Sequence, residues 1–313
     1  VWIPTDIPSM NLLVGPTGPG SFRLGETVTC DYTDQELSGA SPKFICRLRD
    51  GDELKVKYGG QNGEVYGEVV ASRLLWALGF GADRMYSVRV ICHGCPEKTA
   101  GILRPNGDRI LDPVAVERKF GAEELVDRWD WKELDQVNAK GGGATVAERD
   151  ALKLLGVFLQ HNDSKSKQQR IVCLRKAAGK DGSCAVPLMM INDLGLTFGA
   201  PNTFNLQPIA TMNLAEWSKI PIWKDGPGCV GNLKGSFTST LEDPVISEAG
   251  REFLERLMMQ LSDRQLRDMF EAARVQLRPR AAEQLDPDGF PTADEWVTAF
   301  KAKRAQIADK RCA

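Results

Sequence analysis

His161-Asn162-Asp163-Ser164-Lys165-Ser166-Lys167-Gln168 is the stretch on which the reading of this chain turns. Apolar spacing upstream predicts a helix over Ala147–Leu159, and the run Arg170–Arg175 reads as a strand. The octet is therefore a helix-to-strand turn. An Asp in such a turn, with a Lys two residues on and an amide five residues on, suits phosphoryl transfer. Asp163 would orient a hydroxyl, Lys165 would neutralise moving charge, and the Gln168 amide oxygen would help hold a metal ion. A second acidic turn, Asn192-Asp193-Leu194-Gly195, follows thirty positions after Asp163 and offers Asp193 as another metal ligand. Val172-Cys173-Leu174 and Leu188-Met189-Met190-Ile191 read as paired strands, which would bring the two carboxylates to one place.

Upstream, Leu37-Ser38-Gly39-Ala40-Ser41-Pro42-Lys43 is a small-residue turn entering a strand. Such a turn brings backbone N–H groups close to phosphates, and Lys43 adds charge. Asp50-Gly51 makes a hairpin turn. Leu54–Tyr58 is a strand carrying Lys55 and Lys57 on one face, and both compete for a ligand-facing role. Glu68–Leu78 reads as a helix stopped by Gly79, with Glu68 in its first turn and Glu64 just before it. Arg84–Cys92 reads as a strand, Pro96–Gly107 as a loop and Arg109–Phe120 as strand-like. Residues 121–139 read as amphipathic helix, with Trp129 and Trp131 packing. Residues 1–24, rich in Pro and Gly, form an extended lead-in, and Glu26–Tyr32 alternates as a strand. Residues 196–243 are loop-rich. From Glu248 the chain is helical, with Ser262 as an N-cap and a last helix over Ala293–Ile307.

The octet resembles the protein-kinase catalytic loop H-R-D-L-K-P-E-N, with Gln168 in place of the Asn. Asp193-Leu194-Gly195 resembles D-F-G, Leu54–Tyr58 resembles the V-A-I-K strand, and Gly39–Lys43 is similar to the G-A-x-x-K segment of HipA-type kinases. These motifs occur in kinase order over about residues 37–200. The chain thus resembles the protein-kinase-like superfamily, in its atypical branch with HipA-type and phosphoinositide kinases. The resemblance implies an α+β, two-lobed fold. An antiparallel-sheet N-lobe with one helix would span 37–119, after an extension over 1–36. A mainly helical C-lobe would span 120–313. It also implies an ATP- and Mg-dependent phosphotransferase. Asp163 and Lys165 would be catalytic, and Asp193 and Gln168 would hold metal. The nucleotide would meet Gly39, Lys43, Lys57 (paired with Glu68) and Glu117 at the hinge. The acceptor would be a hydroxyl of a protein Ser/Thr, a lipid head group or a small molecule. The G-x-G-x-x-G loop and the A-P-E segment are absent, and the link between Asp163 and Asp193 is longer than usual. A kinase-shaped binding or scaffolding protein without turnover is the alternative.

With 313 residues, 42% apolar and 26% charged, and a net charge of −2, the composition is that of a globular chain large enough for two lobes. The charge balance argues against nucleic acid as a partner. No apolar run is long enough to span a bilayer, and no signal-peptide pattern is seen. The chain opens at Val1, which fits an upstream segment having been removed. The eight cysteines lean the expectation towards an oxidising compartment, periplasmic or secreted. Cys173 and Cys184 flank a turn and could staple a hairpin. Cys92-His93-Gly94-Cys95 is a lone C-x-x-C, read as a local disulfide or as two thiols. With no second pair and two His, structural zinc is not expected. Asp286, Asp288 and Glu295 around Gly289 sit at calcium-loop spacing, but Gln284 stands where the first Asp belongs, and a helix-turn-helix is expected instead.

Overall fold

The helix Glu64–Leu78 (α1) is buried on every side, Trp76 being its one half-buried residue. That fits a helix apolar all round rather than along one stripe. It ends at Gly79 (φ 84°), whose N–H returns to the carbonyls of Leu75 and Trp76. It begins a turn earlier than the sequence reading placed it. Asn62 Oδ1 accepts the Glu64 N–H at 3.1 Å and so satisfies a donor of the first turn, which makes Glu64 rather than Glu68 the opening residue. The computed structural model describes residues 1–39, 41–99, 102–177, 183–199, 211–235, 239–278 and 291–312.

Against α1 stands a closed barrel of Thr27–Thr33 (β1), Lys43–Arg47 (β2), Glu53–Lys57 (β3), Ile102–Arg118 (β6) and Arg84–Thr99 (β5), in that order; the two-residue strand Gly81–Ala82 (β4) precedes β5. Alternation turns Val28, Phe44, Leu54, Val56, Val88, Val90, Val114 and Val116 into its core. The expectation of a purely antiparallel sheet is corrected. β1 pairs with β5 in parallel, Thr27 beside Arg89 through Asp31 beside His93. A parallel pair needs a crossover, and the intervening chain through α1 supplies one. The expected loop Pro96–Gly107 is also corrected. β5 and β6 continue as a ribbon to Thr99 and Ile102, and register shifts between Cys92, Cys95 and Glu97 absorb Pro96.

A second, four-stranded sheet has the order β4-β9-β8-β7, with Glu123–Val126 as β7, Gln169–Lys176 as β8 and Cys184–Ile191 as β9. β8 and β9 pair antiparallel, as expected, with Val172 opposite Leu188. Residues 121–139 are not the expected amphipathic helix. They give β7 and one helical turn, Trp131–Leu134 (α2), closed by an Asp130/Glu133 capping box. The two Trp side chains dictate this. Trp129 Nε1 donates to the carbonyls of Arg170 and Met190 at 3.1 and 3.2 Å, so the chain is tied to β8 and β9 instead of winding on.

The remaining helices are Val146–Leu159 (α3), Leu214–Lys219 (α4), Glu248–Met258 (α5), Asp263–Ala272 (α6) and Ala293–Asp309 (α7). Ser262 caps α6 as the sequence suggests, accepting the Gln265 N–H. Phe158, Phe198, Trp217, Phe270, Trp296 and Phe300 form one aromatic core, with Phe158 and Phe300 centred 4.7 Å apart. Glu295 takes the Thr292 N–H and O–H in the cap of α7; Gln284, Asp286, Asp288 and Gly289 lie outside the described residues. Cys173–Cys184 is a disulfide across β8 and β9, Cys92–Cys95 is a local disulfide, and Cys30–Cys46 and Cys229–Cys312 are two more. No helix among the described residues is long and apolar enough to cross a membrane.

The stretch before β1 is a strap rather than a free lead-in. Ile7 and Leu12 are fully buried. Gln265 of α6 donates to the carbonyls of Ile7 and Met10, and Arg73 of α1 donates to that of Leu12 at 3.0 Å. The strap thereby joins α1 to α6. Ile7→Ala should cost about 2–5 kcal/mol in urea unfolding, the range for a buried large-to-Ala change. A loss below about 0.5 kcal/mol, typical of surface sites, would mean that the segment is not part of the core.

Candidate functional site

Lys57 closes β3 with its side chain 1% exposed, and its ammonium has three carboxylate neighbours. It donates to Glu64 at 2.7 Å, to Glu68, and to Asp193 at 3.4 Å. Helical spacing explains the first two: Glu64 and Glu68 are four residues apart and share one face of α1. Burial alone would pull the Lys57 ammonium down, but Asp193, Glu64 and Glu68 outweigh it and hold the pKa well above its ordinary value. Burial pushes Glu68 well above the usual carboxylate range, with Lys57 pulling the other way. Burial would also raise Asp193, but Lys57 and then Lys55 hold it well below. Lys55, one β-repeat away, pairs with Glu117 of β6, directly opposite it in register. The strand alternation left Lys55 and Lys57 open, and the pairing separates them.

Asp193 reaches this cluster because two glycines let the backbone in. A β-carbon on Gly195 would lie 2.8 Å from the Glu64 carboxylate, and one on Gly67 of α1 would lie 3.3 Å from the Gly195 carbonyl. The register of β8 and β9 does the rest. Gln169 sits opposite Ile191, so Gln168 and Asn192 adjoin, and the Asn192 N–H donates to the Gln168 carbonyl at 2.8 Å. Asp163 follows α3 through Gln160, which takes a left-handed conformation (φ 53°) to turn the chain. The Asn162 N–H donates to the Leu196 carbonyl and ties the two acidic turns together.

The Gln168 side chain bridges the turns. Its Nε2 donates to Asp163 at 3.1 Å and to Asp193 at 3.3 Å, while its Oε1 accepts the Lys165 N–H. Lys165 Nζ lies 2.6 and 2.8 Å from the two Asp163 oxygens. A cleft of about 410 Å³ opens above these groups, lined by Gly39, Lys43, Asp163, Lys165, Gln168 and Asp193 among others. Six of the nine residues singled out from the sequence line the cleft; Lys57 and Glu68 lie together directly beneath it, and Glu117 is outside the lining but pairs with Lys55, which is in it. Burial and then Lys57 lower the Lys43 ammonium. The side chains of Glu64, Glu68 and Asp193 bring one oxygen each within 4.8 Å of one another, and the cation they surround is the Lys57 ammonium. Ser41, which hydrogen-bonds Glu64, was missed because nothing local marks a loop serine as a partner of a helix carboxylate.

No protein-family description matches the sequence, and no curated protein does. Among solved structures the chain is similar to the proinflammatory kinase CtkA of Helicobacter pylori, at 13% identity and a TM-score of 0.44, over 90% of this chain and 96% of that one. It is also similar to the Rio2 kinase of Chaetomium thermophilum in its ADP/Mg2+-phosphoaspartate complex, at 13% identity and a TM-score of 0.30, over 78% and 70% of the two chains.

His161 lines the cleft floor at 1% exposure, and neither ring nitrogen has a hydrogen-bond partner among the described residues. Burial lowers its imidazole from 6.5 to about 4, with Asp193 and Asp163 pulling the other way. Between those values the unfolded chain takes up a proton that the folded protein refuses. Stability therefore falls as pH drops through 6.5 towards 4 and loses nothing further from this group below 4. The shift amounts to about 3 kcal/mol. In urea unfolding at pH 7 and pH 4, His161→Gln should shrink the difference between the two pH values by about that amount. An unchanged difference would mean that the imidazole is not held neutral by burial.

Proposed function

We propose that this protein is an ATP- and Mg-dependent phosphotransferase with a two-lobed, kinase-like fold. The observation that carries the reading is the convergence of a buried Lys–Glu pair with the Asp163–Gln168–Asp193 bridge at one cleft. In this reading residues 37–119 form the N-lobe and 120–313 the C-lobe, after an extension over 1–36. The motifs favour the HipA-type and phosphoinositide-kinase branch.

Asp163 is the group that orients the acceptor hydroxyl and draws off its proton. Lys165, on the same carboxylate, is placed to follow the charge as the phosphoryl group moves. Lys57 grips the α- and β-phosphates, held in position by Glu68 and Glu64. Gly39 and Lys43 cover the phosphates from the β2 side, and Glu117 marks the hinge beside the base. In such a site most of the effect is positioning and electrostatics. Magnesium, when bound, would neutralise phosphate charge, with Asp193 as its ligand. Gln168 would join through Oε1, for which its amide has to turn, since Oε1 now faces the Lys165 N–H. The acceptor is a hydroxyl of a protein, a lipid head group or a small molecule. The complete pairing of the cysteines among the described residues supports an oxidising, extracytoplasmic compartment.

One observation favours the second reading, a kinase-shaped binding protein. Both Asp163 oxygens are engaged by Lys165, and Gln168 adds a further bond, so the base is occupied before any acceptor arrives.

The test is thermal unfolding with ATP and Mg on the wild type and on Asp193→Asn. At a hundred times the dissociation constant, bound nucleotide adds about 2.7 kcal/mol, a shift easily measured. The expected result is stabilisation that needs both ATP and Mg in the wild type and is lost in the variant. No stabilisation with any nucleotide–metal pair would sink the proposal.

A further inference from the structure

Away from the cleft, four cysteines converge inside the barrel. Cys30 on β1 lies beside Cys92 on β5 in the parallel register, so both point to one face. Cys46 on β2 faces Tyr32, which is two residues along β1 from Cys30 and therefore on the same side of the sheet. Cys95 follows Cys92 through the turn His93-Gly94, where Gly94 takes a left-handed conformation (φ 67°) and the strand register shifts. The sulfurs of Cys30, Cys46 and Cys92 lie within 4.8 Å of one another, and Cys95 is bonded to Cys92. Cys30 is 3% exposed, and the other three are fully buried. The sequence offered the C-x-x-C without a second pair; the fold brings that pair from β1 and β2.

We propose that the reduced chain holds one zinc ion on Cys30, Cys46, Cys92 and Cys95. Four thiolates around zinc at about 2.3 Å place their sulfurs about 3.8 Å apart, a separation that the two bonded pairs can open to once both disulfides are reduced. A two-residue turn with a left-handed glycine between two cysteines lets both sulfurs face a single point. The other two disulfides serve as internal controls. Among the described residues, the sulfurs of Cys173, Cys184, Cys229 and Cys312 join no such cluster.

Opening the site takes a two-electron reductant for each disulfide, and a dithiol is one such reductant. For each of the two disulfides, one dithiol gives up two electrons and two protons and becomes a disulfide, leaving two cysteine thiols. Zinc then replaces the four thiol protons, which go to solvent. The resulting site carries a double negative charge in an apolar barrel. Arg109 stands opposite Cys92 on β6, on the same face, and can offset part of it. The barrel would then be cross-linked in either redox state: by the Cys30–Cys46 disulfide between β1 and β2 when oxidised, by one metal across β1, β2 and β5 when reduced. The proposal does not depend on nucleotide chemistry in the cleft.

The probe is cobalt(II), added to the whole chain after reduction with a phosphine that is then removed, with far-ultraviolet circular dichroism reporting the fold. The expected result is a single cobalt per folded chain, with the visible bands of tetrahedral cobalt and sulfur-to-cobalt charge transfer. Zinc should displace it. The pair Cys173→Ser and Cys184→Ser should leave the spectrum unchanged. Cys92→Ser should weaken binding by more than the ~10–100-fold seen when an outer-shell partner is lost. If Cys92→Ser does not fold, Cys46→Ser serves in its place. Absence of the tetrahedral spectrum in the reduced folded chain overturns the proposal. So does a spectrum that arises only on unfolded chain, or one that is lost with Cys173 and Cys184.

Discussion

A single buried ammonium sets the geometry on which the cleft depends. Lys57 cannot remain charged inside the protein without carboxylates around it, and leaving such a charge unpaired costs about 3–5 kcal/mol. Its partners come from two elements: Glu64 and Glu68 from α1, and Asp193 from the turn after β9. Satisfying Lys57 therefore fixes α1 against the barrel and the acidic turn against α1 together. The burial of α1 on every side follows from this, because a helix held at the centre must offer apolar surface to the barrel, to α6 and to the strap at once.

The second constraint is the register of β8 and β9. Placing Gln169 opposite Ile191 carries Gln168 to Asn192, and the Gln168 amide then reaches both carboxylates. The two Trp side chains under this sheet reinforce that register. Trp129 donates to carbonyls on both strands. Trp131 Nε1 donates to the Gln169 side-chain oxygen at 2.9 Å, with the Gln169 amide turned so that its nitrogen meets the Gln168 carbonyl. Aromatic residues that read as packing from the sequence therefore also steer the polar residues above them.

The sequence was most legible where local chemistry decides the outcome. The cap at Ser262, the hairpin at Asp50-Gly51 and the stop at Gly79 are all set by residues within a few positions of one another, and the β8–β9 pair joins two strands that are neighbours in sequence. The resemblance of the ordered motifs to those of kinases singled out Lys57, Glu68, Asp163, Gln168 and Asp193, and the fold brings these residues together in and beneath one cleft. What failed was non-local. Nothing near residues 1–24 shows that Ile7 and Leu12 will be buried by α1 and α6, far along the chain. Nothing near Cys92 shows that Cys30 and Cys46 will stand beside it, because a parallel pairing across α1 brings them there. Residues 96–107 read as a loop, and the strand ribbon runs on there because register shifts around Cys95 take Pro96, which cannot donate to a ladder, out of the pairing.

The central claim is that the groups around the cleft transfer phosphoryl groups rather than merely bind a ligand. It is tested most directly by following ATP labelled in the γ-phosphate, with Mg and the intact chain, and measuring transfer of label to water, to the protein or to added hydroxyl acceptors. The account predicts transfer above the buffer rate that falls by about 10²-fold or more in Asp163→Asn, as expected on losing a group that handles the acceptor proton. ATP that binds with Mg yet stays intact, or transfer that Asp163→Asn leaves unchanged, would contradict it.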